Sequence, residues 1–293
     1  MATTAIAPIR SLLRVAVDVT TNKRKMKNLK TLFQKIERTL KKESHLSSKE
    51  FENKFGEFKN YKKRNLTDNE IYQLLVMIIF YSGFKASTVE QKKEVILDYF
   101  NDFQEVAKYT ENKIQEILSN KRMIKNQKKI RSAVNNAKTF NEIVITFGSF
   151  KKYLSQFKGN ESFENLMLLK EELEYKFDFL GGITVYHFLT DLGYEVLKPD
   201  RVIQRIYKRL GLIENEKQLL KSVILGRKFA KQNDKPIRYI DIILVKYGQE
   251  GKTESFGLNN GICLKRNPKC EKCGVFDECE YENKKMNTGG NNV

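Results

Sequence analysis

Apolar residues recur at helical spacing along almost the whole chain. Two such stripes are Leu29, Leu32, Phe33, Ile36 and Leu40, and Ile71, Leu74, Leu75, Ile78 and Ile79. Side chains three and four positions apart lie on one face of an α-helix, so each stripe marks a helix that packs against a core. The 293 residues are long enough to bury such a core in one large or two modest units. The sequence therefore predicts an all-α protein.

Local signals place several helix ends in the first half of the chain. Thr67-Asp68 is a suitable start for a helix that runs to about Tyr81, where Ser82-Gly83 ends it. A single further helix is expected from about Thr88 to Ala107.

The chain carries a strong positive charge. Lys and Arg number 54 against 36 Asp and Glu, which gives a formal net charge of +18. This balance favours a polyanionic partner, with nucleic acid as the leading candidate. A lysine-rich solvated surface is the alternative, because composition alone does not separate the two interpretations.

The most basic stretch, Lys23 to Lys63, also contains aromatic residues. They are Phe33, Phe51, Phe55, Phe58 and Tyr61. The stretch is either an arm that faces DNA or a set of amphipathic helices with a lysine-covered outer side. The regular spacing of the aromatic residues favours the helices.

Membrane spans and targeting segments bear on the cellular location of the protein. No run approaches the roughly 20 apolar residues of a membrane span, so no membrane partner is expected. Met1 to Val19 has no acidic residue before Asp18 and faintly resembles a transit peptide, although an ordinary frayed terminus is favoured. We predict an intracellular protein, with organelle targeting left open.

All four cysteines fall within one short segment. Cys263, Cys270, Cys273 and Cys279 are separated by six, two and five residues. Four thiolates at such spacing can hold either a tetrahedral zinc ion or a [4Fe-4S] cluster, and this local grouping argues against a disulfide framework. The spacing resembles the iron-sulfur loop of the endonuclease III family of helix-hairpin-helix DNA glycosylases, which implies a [4Fe-4S] cluster that orders the loop.

Basic residues lie between these cysteines. Lys265, Arg266 and Lys269 are expected to contact DNA phosphates, because a rigid basic loop lowers the ordering cost of binding. Charge balance around an anionic cluster is an alternative that does not exclude this role.

A glycine turn followed by an acid stands upstream of the cysteines. Gly181-Gly182 opens a helix, and a turn of this kind exposes backbone N–H groups that can hold a phosphate. With Thr184 and Asp200, the stretch resembles the helix-hairpin-helix and Gly/Pro-Asp motif of the same glycosylase superfamily. In isolation Asp200 is favoured as a helix N-cap, whereas the resemblance implies that Asp200 is catalytic. Thr184 replaces the second hairpin glycine.

The superfamily motif also has a position at which bifunctional members carry a Schiff-base lysine. Tyr186 stands there, and a phenol cannot form an imine. We therefore count Tyr186 as an active-site position and predict a glycosylase without efficient AP lyase activity. Another lysine, such as Lys198, is a possible substitute.

The segments Phe80 to Val89 and Met123 to Ala137 resemble parts of 3-methyladenine DNA glycosylase I, over roughly Ile71 to Lys138. This resemblance implies an alkylated purine as the substrate. The acidic residue expected just before Phe80 is absent, and Ile78 holds its place.

Individual side chains in these segments have more than one interpretation. Tyr81 and Phe84 either stack on a base or wedge into the duplex, or they belong to the core. Asn126 and Asn136 are expected to bond helix termini. His187 either lines the pocket or is a buried histidine with a hydrogen-bond partner, and the second interpretation is favoured.

The resemblance to the glycosylase superfamily implies a two-lobed organisation. The expected units are residues 1–65, basic helices partly packed on the C-terminal lobe; 66–188, a helical lobe ending in the hairpin; 189–280, a lobe with Asp200 and the iron-sulfur loop; and 281–293, a disordered tail.

The predicted function is base excision: a monomer binds double-stranded DNA, flips out a damaged base and hydrolyses its N-glycosidic bond through Asp200. One alternative is an endonuclease III-like glycosylase and AP lyase for oxidised or mismatched pyrimidines. Others are a non-catalytic iron-sulfur DNA-binding module and an RNA-binding zinc protein.

Overall fold

The computed structural model describes residues 27–59 and 65–281. Its helices are α1 (Leu29–Glu43), α2 (Ser48–Gly56), α3 (Asp68–Tyr81), α4 (Ala86–Glu90), α5 (Lys93–Tyr99), α6 (Phe103–Val106), α7 (Glu111–Ser119), α8 (Gln127–Phe147), α9 (Phe150–Gln156), α10 (Phe163–Lys176), α11 (Ile183–Asp191), α12 (Arg201–Arg209), α13 (Leu219–Asn233) and α14 (Ile237–Gly248). Over these residues the fold is all-α, with one isolated β-bridge between Thr253 and Leu258. None of these helices is long and apolar enough to cross a bilayer. Tyr61, Met1 to Val19 and the tail from residue 282 lie outside the described residues.

The predicted start and end of α3 are confirmed. Thr67 caps the helix, and its side chain and that of Glu70 bond each other's backbone N–H groups in a capping box. The helix ends at Ser82, and Gly83 follows with φ of +79°. This left-handed backbone turns the chain sharply into the next segment.

The single helix expected from Thr88 to Ala107 is wrong, because three short helices occupy this segment. Lys92 leaves helical geometry between α4 and α5, and Phe100 does so after α5. Asp102 then starts α6 afresh, since its side chain accepts hydrogen bonds from the backbone N–H groups of Gln104 and Glu105.

The described residues form two hydrophobic cores. The first is built by α3 to α11, with Phe140 stacked on Phe150 at 4.2 Å between ring centroids. The second combines α1 and α2 with α12, α13 and α14. Phe33, Phe51 and Phe55 are fully buried in the second core, which confirms that α1 and α2 are amphipathic helices. The segments that precede and follow the first core in the sequence therefore fold together in the second core.

The chain passes from one core to the other just before Asp200. Val196 is buried in the first core and Leu197 in the second. Helix α13 lies against this crossing, and a Cβ at Gly226 would come 2.7 Å from the Leu197 Cβ. A glycine at residue 226 thus permits the close approach that positions residues 197–200.

Gly226→Ala should lower the free energy of unfolding by about 1–3 kcal/mol, because the added methyl group overlaps Leu197 in a packed interior. Urea denaturation measures the change. Gly56→Ala is the control: a Cβ there meets nothing within 4 Å, so stability should stay the same or rise slightly. Equal stability of Gly226→Ala and the wild type would contradict the close packing.

Candidate active site

A cleft with two adjoining cavities opens beside the crossing between the cores. The first cavity, of about 700 Å³, is lined by one face of α3 and by residues of α5 and α11. The second, of about 550 Å³, is lined by the 82–85 turn, the start of α11 and residues 200–202. Five residues line both cavities: Ile78, Tyr81, Phe84, His187 and Lys198. The two cavities therefore form one continuous cleft.

Aromatic side chains form part of the wall where the cavities meet. Tyr81 is half-buried and its hydroxyl donates to the Glu90 carboxylate. Burial, reinforced by Glu90, raises the pKa of Tyr81, so the phenol stays protonated at neutral pH. Phe84 is 39% exposed. Both residues lie where a base could stack, and their stacking role stays a prediction.

Asp200 lines the second cavity and caps α12 at the same time. Its Oδ1 accepts hydrogen bonds from the backbone N–H groups of Val202, at 2.9 Å, and Ile203, at 3.0 Å. The N-cap interpretation is therefore confirmed. It does not compete with a catalytic role, since Oδ2 takes no part in these two bonds. The helix N-terminus stabilises the negative charge of the carboxylate.

A second carboxylate is buried behind Asp200. Asp241 on α14 is 3% exposed and accepts a hydrogen bond from the Arg238 guanidinium at 2.8 Å. Burial raises the pKa of Asp241 to about 7, and the nearby charge of Asp200 adds to the rise. A partly protonated Asp241 repels the Asp200 carboxylate less than an ionised one. No sequence signal marked Asp241.

The glycine hairpin is held by side chains rather than open for binding. Gly181 is exposed and Gly182 has φ of +61°. The hydroxyl of Thr184 donates to the carbonyl oxygens of Phe179, at 2.5 Å, and Gly181, at 2.8 Å. The N–H of Gly182 donates to Glu174 at 2.7 Å. The expectation that both glycines offer free N–H groups needs correction, because a phosphate at Gly182 must displace Glu174.

Tyr186 lies away from the cleft, which corrects the expected active-site position. It is 4% exposed and packs in the first core, with the Lys170 ammonium 5.9 Å from its ring centroid. The next residue, His187, lines both cavities instead. Successive side chains on an α-helix point about 100° apart, which here places His187 at the cleft and Tyr186 in the core.

His187 lies beside Asp191 and lines both cavities of the cleft. Its Nε2 lies 3.3 Å from Oδ2 of Asp191, one turn later on α11. Burial, with smaller effects from Lys198 and Arg238, lowers the pKa of His187 to about 3. The imidazole is therefore neutral at physiological pH. Asp191 was not identified from the sequence.

Two buried polar residues of α8 hold the loops around the cleft. Lys129 donates to the carbonyl oxygens of Ile79 and Ser82 at the end of α3, and its ammonium lies 4.7 Å from the ring centroid of Phe179. Asn136 bonds the backbone N–H and carbonyl of Asp178, at 2.8 and 3.0 Å. The sequence does not indicate that these two residues are buried, since a lysine and an asparagine on a basic helix resemble surface residues.

The two asparagines of this region behave differently. Asn126 caps α8 as expected, since its side chain accepts from the Lys129 N–H. Asn136 lies within α8 and not at a helix terminus, so that expectation is corrected.

The cysteine loop packs on α12 and α14. All four cysteines are free, and two sulfur atoms have polar partners: Cys263 lies 3.2 Å from Arg209 Nη1, and Cys273 lies 3.1 Å from the Tyr247 hydroxyl. Burial raises the pKa of both thiols. Within residues 27–59 and 65–281, no three His, Cys, Asp or Glu side chains are grouped closely enough to hold a metal ion.

The basic residues of this loop differ in exposure. Lys265 and Arg266 are exposed, and Lys269 is half-buried with its ammonium 3.4 Å from the Asn260 carbonyl. Lys265 also lines a cavity of about 370 Å³ with Arg205, Lys208 and Arg209. This cationic surface is suited to phosphate contacts, which stay a prediction.

Comparisons with known proteins locate the resemblance in the first core. The family model described as methyladenine glycosylase matches residues 59–196. Among solved structures, 3-methyladenine DNA glycosylase I from Staphylococcus aureus is 24% identical, with a TM-score of 0.40, over 47% of this chain and 83% of that one.

Two other solved structures match a larger share of this chain. The 8-oxoguanine DNA glycosylase of Thermotoga maritima is 21% identical over 74% of this chain and 95% of that one, with a TM-score of 0.48. The Methanocaldococcus jannaschii 8-oxoguanine glycosylase/lyase, in complex with DNA, is 20% identical over 73% and 95%, with a TM-score of 0.49.

The burial of Lys129 should make the free energy of unfolding depend on pH. Burial lowers its pKa from 10.5 to about 8 in the folded protein, so between these pH values the unfolded state binds more protons. The free energy of unfolding should therefore rise from pH 8 to 10.5, by up to about 3 kcal/mol from this residue.

Urea denaturation across this pH range tests the effect. In Lys129→Met the contribution should disappear, while Lys128→Met, which removes an exposed neighbour, should keep it. Identical pH profiles for the wild type and Lys129→Met would show that the Lys129 ammonium is solvated in the folded protein.

Proposed function

We propose that this chain is a DNA N-glycosylase of base excision repair that removes alkylated purines of the 3-methyladenine type, since residues 59–196 match the methyladenine glycosylase family model. The observation that supports this most directly is the cleft. Asp200 lines the second cavity, which joins a first cavity large enough for a purine.

The arrangement suggests how DNA is engaged. The hairpin at Gly181 and the basic residues Lys265 and Arg266 are exposed, so they can contact phosphates without reading sequence. A nucleotide rotated out of the duplex would enter through the second cavity. Its base would pass Tyr81 and Phe84 into the first cavity, which leaves the sugar near Asp200.

Asp200 then supplies the chemistry of hydrolysis. When the N-glycosidic bond breaks, its electron pair leaves with the base and positive charge develops on the sugar. The Asp200 carboxylate stabilises this charge and orients a water molecule, which adds to C1′ and releases a proton. No lysine stands at position 186, and Tyr186 is buried, so we propose hydrolysis without efficient strand nicking. The proposed active form is a monomer.

Asp200→Asn separates the two roles of this residue. Asparagine is as good an N-cap as aspartate, so α12 should keep its start while the negative charge is lost. Excision of 3-methyladenine from methylated duplex DNA should fall at least a hundredfold, with DNA affinity and melting temperature retained. The measurement is single-turnover base release, with Asp234→Asn on the same lobe as a charge control. Full activity of Asp200→Asn would refute the assignment.

We also propose that Cys263, Cys270, Cys273 and Cys279 bind a [4Fe-4S] cluster. The donor set supports this: four free thiols lie within one loop, and Arg209 and Tyr247 are placed to donate hydrogen bonds to two of the sulfurs. The cluster would hold the loop that carries Lys265 and Arg266, with no part in the reaction.

Anaerobically purified protein should be brown and contain about four iron and four sulfide per chain. Cys270→Ser should lose the colour and bind DNA less tightly, most clearly at low salt. Zinc in place of iron, or a colourless protein with full DNA affinity, would contradict the proposal.

One observation favours a second candidate function. Lys198 lines both cavities, two residues before Asp200. A primary amine in that position could form an imine with the sugar C1′, as in a glycosylase and AP lyase for oxidised or mismatched pyrimidines. Borohydride trapping of the wild type, lost in Lys198→Arg, would establish this candidate.

A further inference from the structure

We propose that Asp191 selects positively charged bases in the first cavity, with His187 holding its carboxylate in place. This inference rests on the proposed function and names the feature of the substrate that the cavity reads. It assigns a specificity role to a residue on α11, a helix whose hairpin end is the part that faces DNA.

The placement of Asp191 is set by its helix. Val185, Tyr186, Phe188 and Leu189 are buried in the first core and fix the rotation of α11. His187 and Asp191, four residues apart, therefore share the face that lines the first cavity. Their side chains are 22% and 25% exposed, so both are largely withdrawn from bulk water. A charge in this setting is screened less than one on the surface.

The His187–Asp191 pair carries a net negative charge. Because burial keeps His187 neutral, the imidazole lies 3.3 Å from the carboxylate without cancelling its charge. Asp191 also acts on Tyr81, whose pKa its charge helps to raise. The carboxylate lines the same cavity as Tyr81, and the ring centroid of its neighbour His187 lies 6.4 Å from that of Tyr81.

Other charged groups face the same cavity. Glu70 lines it, and Glu90 accepts the hydrogen bond of Tyr81 at its edge. The ammonium groups of Lys93 and Lys198 also line it; Lys93 is exposed, and Lys198 extends to the second cavity. Asp191 is therefore the carboxylate of the first cavity that lies beside His187, one of the residues shared by the two cavities.

The chemistry of alkylation supplies the matching ligand. Alkylation of a purine ring nitrogen in DNA, at N3 of adenine or N7 of guanine, adds a substituent without removing a proton, so the base becomes a cation. Aromatic faces such as those of Tyr81 and Phe84 attract a cation, and a nearby carboxylate adds to this attraction. Undamaged purines are neutral and gain neither contribution. A cationic base is already a good leaving group, so the protein needs to select it more than to activate it.

Ile78 leaves the α3 wall of the first cavity without a carboxylate at residue 78. It lines both cavities from α3, at the position where the family resemblance expects an acid. Asp191 supplies a carboxylate to the first cavity from α11 instead.

The test compares charged and neutral lesions. Release of 3-methyladenine and 7-methylguanine from methylated DNA is measured beside release of hypoxanthine, which is neutral, from a synthetic duplex. For Asp191→Asn, kcat/KM on the charged lesions should fall by roughly tenfold or more, while the value for hypoxanthine stays the same or rises. Asp191→Glu should restore much of the preference. Asp98→Asn, which removes an exposed charge from α5 outside the cavity, should change neither value.

Affinity for a duplex with an abasic-site analogue supplies a folding control. No base enters the cavity in that complex, so Asp191→Asn should bind it as the wild type does. An unchanged ratio of charged to neutral lesions in Asp191→Asn would overturn the selection role. If the wild type released no base from any duplex, the proposed function itself would fail, and the two failures are thereby distinguished.

Discussion

The two hydrogen bonds from the α12 backbone to the Asp200 carboxylate are the interaction on which the site depends. They fix an acid at a helix start, directly after the chain crosses from one hydrophobic core to the other. A carboxylate on a flexible loop would lose this orientation each time the loop moved. Here the cap contributes to stability, and the same geometry keeps the charge at the junction of the cores.

Buried polar groups fix other parts of the chain around the cleft. Lys129 and Asp241 are both almost fully buried, at a cost that apolar residues would not incur. Each holds a neighbouring part of the site: Lys129 binds the end of α3, and Asp241 accepts a backbone hydrogen bond from Lys198, two residues before Asp200. Their cost in stability is offset by fixed loops at the cleft, which a base-flipping enzyme needs before it meets its substrate.

Much of this organisation could be predicted from the sequence, because local signals carried it. Helical stripes predicted the all-α fold, Thr67 predicted the start of α3, and Asp200 predicted a capped helix. Predictions failed where tertiary contacts determine which way a side chain faces. The rotation of α11 turns His187 into the cleft and Tyr186 into the core, and no local pattern specifies that rotation.

Asp191 and Asp241 were missed for the same reason. Each is an ordinary helical acid until distant helices pack against it. The Gly182 N–H likewise resembles a free phosphate site in the sequence, and only the fold shows that Glu174 occupies it.

The central claim is that this cleft excises an alkylated purine by hydrolysis. The most direct measurement incubates the purified protein with labelled duplexes that carry alkylated purines, uracil or thymine opposite guanine, or oxidised pyrimidines, scored with and without alkali. The account predicts strand breaks from the alkylated duplexes only after alkali. Breaks without alkali would make the protein a lyase, and no product from any duplex would leave a DNA-binding module and contradict the account.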